Sequence, residues 1–334
     1  MSTIGVLGAG TWGMALARML SNTGNDVQVW SALEKEVDEY SSTRRHPNLP
    51  GMVIPDAIRF TKKIDEVCAN KDILLIAIPS NFLRSVAQKA APYICDGQII
   101  VNVGKGIEAA TVMTLTEVIE DELKKAGHTA RVVALSGPTH AEEVAVDLPT
   151  TIVAASVDMD AAKTAQKVFT NDNMRVYTNS DVRGIQLCGA FKNIIALASG
   201  ICTGLGYGDN TRAALITRGL AEITRLGTKM GCRPETFAGL AGVGDLIVTA
   251  TSMHSRNNRA GMLMGQGKSA EEAVKEVGMV VEGIYAIPAA LKMAELYHIE
   301  LPIIFAVDAV VNHGADPRKT VRDLMLRDTK AEWE

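Results

Sequence analysis

The sequence predicts a doubly wound α/β domain over 1–183 followed by an all-helical domain over 184–334. Three observations predict this. Short, continuous apolar runs alternate with helical periodicity through the first half, as in a parallel sheet whose strands are buried on both faces. The first run ends in Gly8-Ala9-Gly10-Thr11-Trp12-Gly13 and passes straight into Met14-Ala15-Leu16-Ala17-Arg18 with helical spacing. Beyond Asp181 strand signals nearly vanish and only helical periodicity continues, which sets the boundary at about 180–186.

The elements follow in order. Strands are expected at 3–7, 26–30, 73–78, 98–102, 131–135, 151–155 and 174–177, where aliphatic and β-branched residues run together. Helices are expected between most of them, at 13–23, 81–91, 112–126 and 159–169. The polar segment 41–51 reads as a loop passing over the sheet. In the second domain the periodicity predicts helices at 184–202, 211–230, 234–238, 244–251, 256–265, 269–277, 283–295, 303–311 and 318–326.

Composition narrows the function classes. A chain of 334 residues with 47% hydrophobic content builds a large core, and a net charge of -4 favours neither nucleic acid nor an anionic membrane. Cys68, Cys95, Cys188, Cys202 and Cys232 are scattered without a CxxC pair, so they read as free thiols of a reducing, cytoplasmic compartment. The chain opens directly on a strand, so no signal peptide is expected. No run reaches the roughly 18 uncharged apolar residues of a membrane span. The absence of Cys/His metal spacing, of Gly-x-Ser-x-Gly and of a Walker sequence argues against a zinc enzyme, a serine hydrolase and a P-loop ATPase.

The glycine motif carries the first chemistry. Gly8 permits a tight turn, Gly10 lets a diphosphate approach the backbone, and Gly13 lets the helix pack on the strand. The free N–H groups at the helix start then face phosphates. This is the pattern of a Rossmann-type dinucleotide site. The second strand ends in Val29-Trp30-Ser31-Ala32, without the acid that usually holds the adenosine ribose of NAD; Glu34 follows, with Lys35, Arg44 and Arg45 in reach. The cofactor is therefore expected to be NADP or NAD, with NADPH favoured.

Further clusters carry chemistry. Lys192 lies in Leu187-Cys188-Gly189-Ala190-Phe191-Lys192-Asn193-Ile194-Ile195, a helix apolar nearly all round. It either snorkels to an edge or lines a polar cavity, where burial suits an amine to proton transfer. Lys105, in Gly104-Lys105-Gly106, falls at the carboxyl end of a buried strand, the edge where open α/β sheets bind ligands. Ser136-Gly137-Pro138-Thr139-His140-Ala141-Glu142 follows another such strand. There Thr139 and Glu142 form a capping-box pattern that predicts a helix start, and His140 reads as structural or solvent-facing. Ser255, Arg256 and Asn257 offer a hydroxyl, a guanidinium fork and an amide, a donor set suited to phosphate. Asp245, on an otherwise apolar segment, is placed to orient an ammonium group or accept from a hydroxyl. Glu282, in Val280-Val281-Glu282-Gly283, either bonds a cofactor or caps a helix.

Taken together, these segments resemble the bacterial type of NAD(P)-dependent glycerol-3-phosphate dehydrogenase, nearly end to end. The resemblance rests on Gly8 to Gly13, Lys105 in Gly-Lys-Gly, Ser136-Gly137-Pro138-Thr139, Phe191-Lys192-Asn193, Gly242-Val243-Gly244-Asp245-Leu246, Ser255-Arg256-Asn257 and Val281-Glu282-Gly283. It implies reversible hydride transfer between NAD(P)H and dihydroxyacetone phosphate, giving sn-glycerol 3-phosphate, a precursor of glycerophospholipids. Lys192 is implied as the proton acceptor. Lys105, Gly137, Thr139, Lys192, Asp245, Ser255, Arg256 and Asn257 are implied at the substrate, with Arg256 and Asn257 on its phosphate. Gly8, Gly10, Thr11, Trp12, Gly13, Lys105, Ala141, Arg256, Val280 and Glu282 are implied at the dinucleotide.

Two departures stand out. Ala32 replaces a basic residue common in relatives, and the loop Arg45-His46-Pro47-Asn48-Leu49-Pro50-Gly51 lacks the usual tyrosine. The competing readings are another hydroxy-acid or ketopantoate-type dehydrogenase and a non-catalytic dinucleotide sensor. The apolar helical half predicts a homodimer.

Overall fold

The computed structural model of the chain describes residues 1–329 and 331–332; positions 330, 333 and 334, the end of the expected second domain, lie outside the described residues. The strands are β1 (Thr3–Leu7), β2 (Asp26–Trp30), β3 (Arg59–Thr61), β4 (Ile73–Ile76), β5 (Ile99–Asn102), β6 (Ile107–Glu108), β7 (Met113–Thr114), β8 (Arg131–Ser136), β9 (Thr150–Ala155) and β10 (Met174–Asn179). Eight of them form one sheet in the order β10-β9-β8-β5-β4-β1-β2-β3, and β6 and β7 form a separate hairpin. Strand β1 lies between β2 and β4, parallel to both. The strand order therefore reverses there, and the crevice beyond the carboxyl ends of β1 and β4 is the natural ligand edge.

The sheet is not parallel throughout. β9 pairs antiparallel with β8, and β10 runs parallel to β9. The link from β8 to β9 carries only the short helix α6 (Ala141–Val144). It turns the chain back rather than crossing over the sheet, as a parallel connection requires.

Helices α1 (Thr11–Asn22), α2 (Glu34–Thr43), α3 (Ile64–Cys68), α4 (Ser80–Ala90), α5 (Leu115–Lys125) and α7 (Met159–Phe169) complete this half. Successive strand residues point to opposite faces. Ile4, Val6, Val27, Val29 and Leu75 join Met14, Leu16 and Leu20 of α1 and Phe169 of α7 in one apolar layer. Leu7, Leu74 and Ile76 join Leu83 of α4 and Ile119 and Leu123 of α5 in the other.

The segment 41–51 is not an excursion over the sheet. Leu49, Met52 and Ile54 are sealed into the first apolar layer beside Tyr40, and Arg45 bridges Val53. Within it His46 is buried, and its Nδ1 accepts the Asn48 N–H at 3.1 Å. Burial holds this imidazole below its ordinary pKa. Helix α5 begins later than the periodicity predicts, because Thr114 and Glu117 close a capping box at Leu115.

The remaining helices are α8 (Val182–Gly204), α9 (Asp209–Lys229), α10 (Pro234–Phe237), α11 (Asp245–Thr251), α12 (Arg256–Gly265), α13 (Ala270–Val277), α14 (Glu282–Leu296), α15 (Pro302–His313) and α16 (Pro317–Met325), with a π-helical turn at Leu240–Gly244. The chain divides into two compact units. One is Met1–Gly189 with Cys232–Asp245; the other is Ala190–Gly231 with the chain from Leu246 onward. The division thus falls inside α8, and 232–245 returns to the first unit. Asp181 fastens that returning segment: it accepts from Arg233 N–H at 2.9 Å and from the Thr236 hydroxyl at 2.7 Å.

By length and composition α8 is apolar enough to cross a membrane, but its most apolar 18-residue stretch is entirely buried, as in a core helix. It packs on α12 at backbone contact. A Cβ at Gly200 would lie 2.0 Å from the Asn258 carbonyl, and one at Gly261 would lie 2.0 Å from the Leu197 carbonyl.

Candidate active site

In the first unit the glycine turn closes β1 onto α1. Gly8 has φ +111°, a left-handed conformation that strains any L side chain, and a Cβ there would meet the Ala77 carbonyl at 2.5 Å. A Cβ at Gly13 would meet the Gly8 carbonyl at 2.2 Å, so only glycine lets α1 sit this close. Around Gly10, the N-cap of α1, the position of a Cβ is open, with nothing within 4 Å. The N–H groups of Thr11, Trp12 and Gly13 form the first turn, where a helix has no internal acceptors. The backbone is thus bare and positively polarised on the side a diphosphate would occupy, and these residues fit a dinucleotide.

The end of β2 is less committed. Ser31 donates to Glu36 at 2.5 Å, and Lys62 pairs with Glu34 and Asp38. Arg44 is turned away into the loop, donating to the Ile58 carbonyl at 2.8 Å. Lys35 and Arg45 are exposed. No free carboxylate therefore stands directly at this strand end.

Further along the same sheet edge, Lys105 follows β5 and Gly137 follows β8. The Lys105 ammonium donates to the Gly137 carbonyl at 3.0 Å, to Thr139 Oγ1 at 3.0 Å and to Asp245 Oδ2 at 2.7 Å. The three bonds match the three protons of an ammonium group. Asp245 is fully buried, so the ion pair joins a charge without solvent to one at the rim. Thr139 does not cap a helix. His140 takes the N-cap position of α6 without a side-chain capping bond, and Thr139 Oγ1 also donates back to Gly137 at 3.1 Å. The capping-box pattern fails because this hydroxyl is held by the lysine.

Ala141 opens α6 and is buried. Ser136 Oγ is buried without a hydrogen-bond partner, and a Cβ at Gly189 would touch both it and Lys105 Cγ, at 3.3 and 3.4 Å. Cys188, one residue before, is buried, and burial and the Asp245 charge push its thiol pKa well up.

In the second unit Lys192 is only 5% exposed, so its ammonium does not snorkel out. It donates to Thr249 Oγ1 at 2.5 Å. Thr249 was not singled out from the sequence, although it stands one helical turn beyond Asp245 on α11, a spacing that shares a helix face. Ser255 is buried at the N-cap of α12 and accepts from Asn258 N–H at 3.2 Å. Arg256 and Asn257 form the first turn of α12, where the helix dipole favours an anion. Asn257 Nδ2 donates to Asn193 Oδ1 at 3.1 Å, and Gly283 N–H donates to Asn257 Oδ1 at 2.8 Å. Val280 and Glu282 are half-buried at the start of α14.

A bare glycine turn on the parallel part of the sheet, a saturated lysine–aspartate pair at the same edge and a buried lysine on a separate helical unit define a nicotinamide-dinucleotide-dependent dehydrogenase. Residues 3–162 match the family model described as NAD-dependent glycerol-3-phosphate dehydrogenase N-terminus, and residues 181–322 match that of its C-terminus. The chain belongs to the NAD-dependent glycerol-3-phosphate dehydrogenase family. It is 70% identical over 334 residues to glycerol-3-phosphate dehydrogenase (NAD(P)+) 2 of Lactobacillus delbrueckii subsp. bulgaricus, covering 99% of each chain. It is 51% identical to the similarly named protein of Agathobacter rectalis, over 99% of this chain and 98% of that one. Among solved structures, glycerol-3-phosphate dehydrogenase from Coxiella burnetii superposes with a TM-score of 0.91 at 36% identity, covering 98% of this chain and 99% of the other.

Proposed function

We infer that this chain catalyses reversible hydride transfer between NAD(P)H and dihydroxyacetone phosphate, giving sn-glycerol 3-phosphate. The observation that carries the reading is the Lys192 ammonium, buried and held by the Thr249 hydroxyl at 2.5 Å, in a family member. The bound nicotinamide supplies or accepts the hydride. In the reducing direction Lys192 polarises the ketone and gives its proton to the oxygen as that oxygen gains charge; in the oxidising direction it takes the proton of the secondary hydroxyl.

The remaining roles are assigned by position. Lys105 contacts substrate and nicotinamide, Gly137 and Thr139 line the pocket, and Asp245 and Ser255 bind the substrate. Arg256 and Asn257 hold the phosphate at the N-terminus of α12 and use remote binding energy to align the reacting carbon. Gly8, Gly10, Thr11, Trp12, Gly13, Ala141, Arg256, Val280 and Glu282 contact the dinucleotide. Residues 1–183 are read as the cofactor domain and 184–334 as the substrate domain. Because Glu34 and Glu36 are engaged by Lys62 and Ser31, NADPH is preferred over NADH.

The chain is further read as a cytoplasmic homodimer. All five thiols are free, and α16 buries none of its residues while Met325 and Leu326 are 79% and 70% exposed. Light scattering tests the second point.

Initial rates with dihydroxyacetone phosphate and each reduced nicotinamide test the reaction. Lys192→Ala is expected to abolish turnover while cofactor affinity falls only mildly. Near-normal turnover in that variant excludes the role of Lys192. Cofactor binding without turnover in the unaltered chain favours the sensor reading.

A further inference from the structure

Gly283 has no side chain to offer, yet it stands where three helices meet. Its N–H, at the start of α14, donates to Asn257 Oδ1 of α12 at 2.8 Å in a buried setting. Asn257 Nδ2 in turn donates to Asn193 Oδ1 of α8 at 3.1 Å. The junction is closed to any larger residue. A Cβ on Gly283 would lie 2.6 Å from the Asn193 carbonyl oxygen and 3.0 Å from Asn257 Oδ1.

The bonds also fix which end of the amide is which. An asparagine side chain has one oxygen and two N–H donors, and its orientation follows from its partners. A backbone N–H on one side demands the oxygen there. The acceptor Asn193 Oδ1 takes one donor on the other side, which leaves one N–H of Asn257 beside the first turn of α12. That turn is the anion-favouring end of the helix.

We propose that Gly283 and Asn193 are positioning residues for the substrate phosphate: together they clamp the Asn257 carboxamide so that its remaining N–H faces the phosphate. This rests on the reading of Arg256 and Asn257 as the phosphate site. It assigns a purpose to a glycine that follows the proposed dinucleotide contact Glu282, and it ties the start of α14 to the phosphate end of the substrate through a single amide. Without the clamp the carboxamide is free to turn over. It would then present its oxygen to an anion, a repulsive contact in place of a charge-assisted hydrogen bond.

The test compares dihydroxyacetone phosphate with unphosphorylated dihydroxyacetone at high concentration, in the unaltered chain, in Gly283→Ala and in Asn193→Ala. Thermal melts check that each variant folds, and fluorescence titration gives the NADPH dissociation constant. Asn193→Ala opens the clamp by deletion rather than by crowding, so it carries the test where Gly283→Ala does not fold. The ratio of kcat/KM for the phosphorylated over the unphosphorylated substrate is expected to fall roughly ten- to a hundred-fold in each folded variant, the cost of a misdirected buried hydrogen bond. The rise is expected mainly in KM for dihydroxyacetone phosphate. Equal losses with both substrates overturn the proposal and leave these residues as packing alone. Failure of the unaltered chain to reduce dihydroxyacetone phosphate overturns instead the functional reading on which the proposal rests.

Discussion

Glu222 gives the sharpest test of the helical unit. It lies on α9, is 5% exposed, and points at the N-terminus of α15. Pro302 opens that helix and has no N–H; Glu222 accepts the next two, Ile303 N–H at 2.8 Å and Ile304 N–H at 3.3 Å. Two effects compete. The helix amides favour the carboxylate, whereas burial favours the neutral acid. Burial is the larger, and the carboxyl is pushed up from 4.5 to about 7.

The sign follows from proton counting. Between pH 4.5 and about 7 the unfolded chain has released this proton while the folded chain keeps it, so stability falls as pH rises. The contribution is complete below pH 4.5 and gone above about 7. At 1.36 kcal/mol per pKa unit, the whole change is roughly 3 kcal/mol. Glu222→Gln keeps an acceptor for the helix and cannot ionise. It should remove this slope and stabilise the chain at pH 8 by up to about 3 kcal/mol, less whatever the second amide bond loses.

The assay is urea unfolding of both proteins from pH 4.5 to 8.5, with hydrogen exchange at Ile303 and Ile304 to localise the change. The difference between the two curves isolates Glu222 from every other titrating group. A difference that stays flat across this window, or a variant less stable at pH 8, would refute the argument and show that the helix amides outweigh burial.

The other predictions concern the site. Gly8→Ala forces a Cβ to 2.5 Å from the Ala77 carbonyl at φ +111°; NADPH affinity and melting temperature should both fall, with a cost of about 1–3 kcal/mol from strain alone, and calorimetry with and without NADPH reads both. Thr249→Val removes the hydroxyl that holds Lys192. kcat should drop about ten-fold or more and shift in its pH profile, while Thr249→Ser retains most of the rate; equal loss in both variants would count against a role for the hydroxyl. Lys105→Met takes the ion-pair partner from the fully buried Asp245. Denaturation should show a loss of roughly 3 kcal/mol, and a variant as stable as the unaltered chain would mean that the ion pair contributes nothing.

What was legible in the sequence was chiefly what is local. The glycine turn could be read because each glycine answers a constraint set within a few residues: φ at Gly8, contact at Gly13 and open space at Gly10. The helices of the second half could be read because their apolar faces repeat and their ends carry signals, such as the Ser269–Glu272 capping box and the prolines opening α15 and α16. Helix α2 escaped because Glu34–Thr43 buries only Val37 and Tyr40, too little to mark a face. Strand β3, at three residues, is too short to show alternation. The reversal of β9 was hidden because a strand buried on both faces has the same composition in either direction.

The site differs in kind, because its decisive bonds join residues far apart in the chain. Lys105 and Asp245 are 140 positions apart, and Lys192 and Thr249 are 57 apart. Sequence reading found both lysines from their surroundings, a glycine-flanked strand end and an apolar helix, and read Asp245 as placed to orient an ammonium group, but it paired neither lysine with its partner. Thr139 shows why. Its pattern with Glu142 satisfies a local capping rule, yet the hydroxyl bonds to Lys105, brought from another strand. A local rule states what a side chain can do for its own backbone, and at a sheet edge a competing ammonium takes the same oxygen with a charge-assisted bond. At Thr139 the disagreement between local pattern and structure itself points to the site.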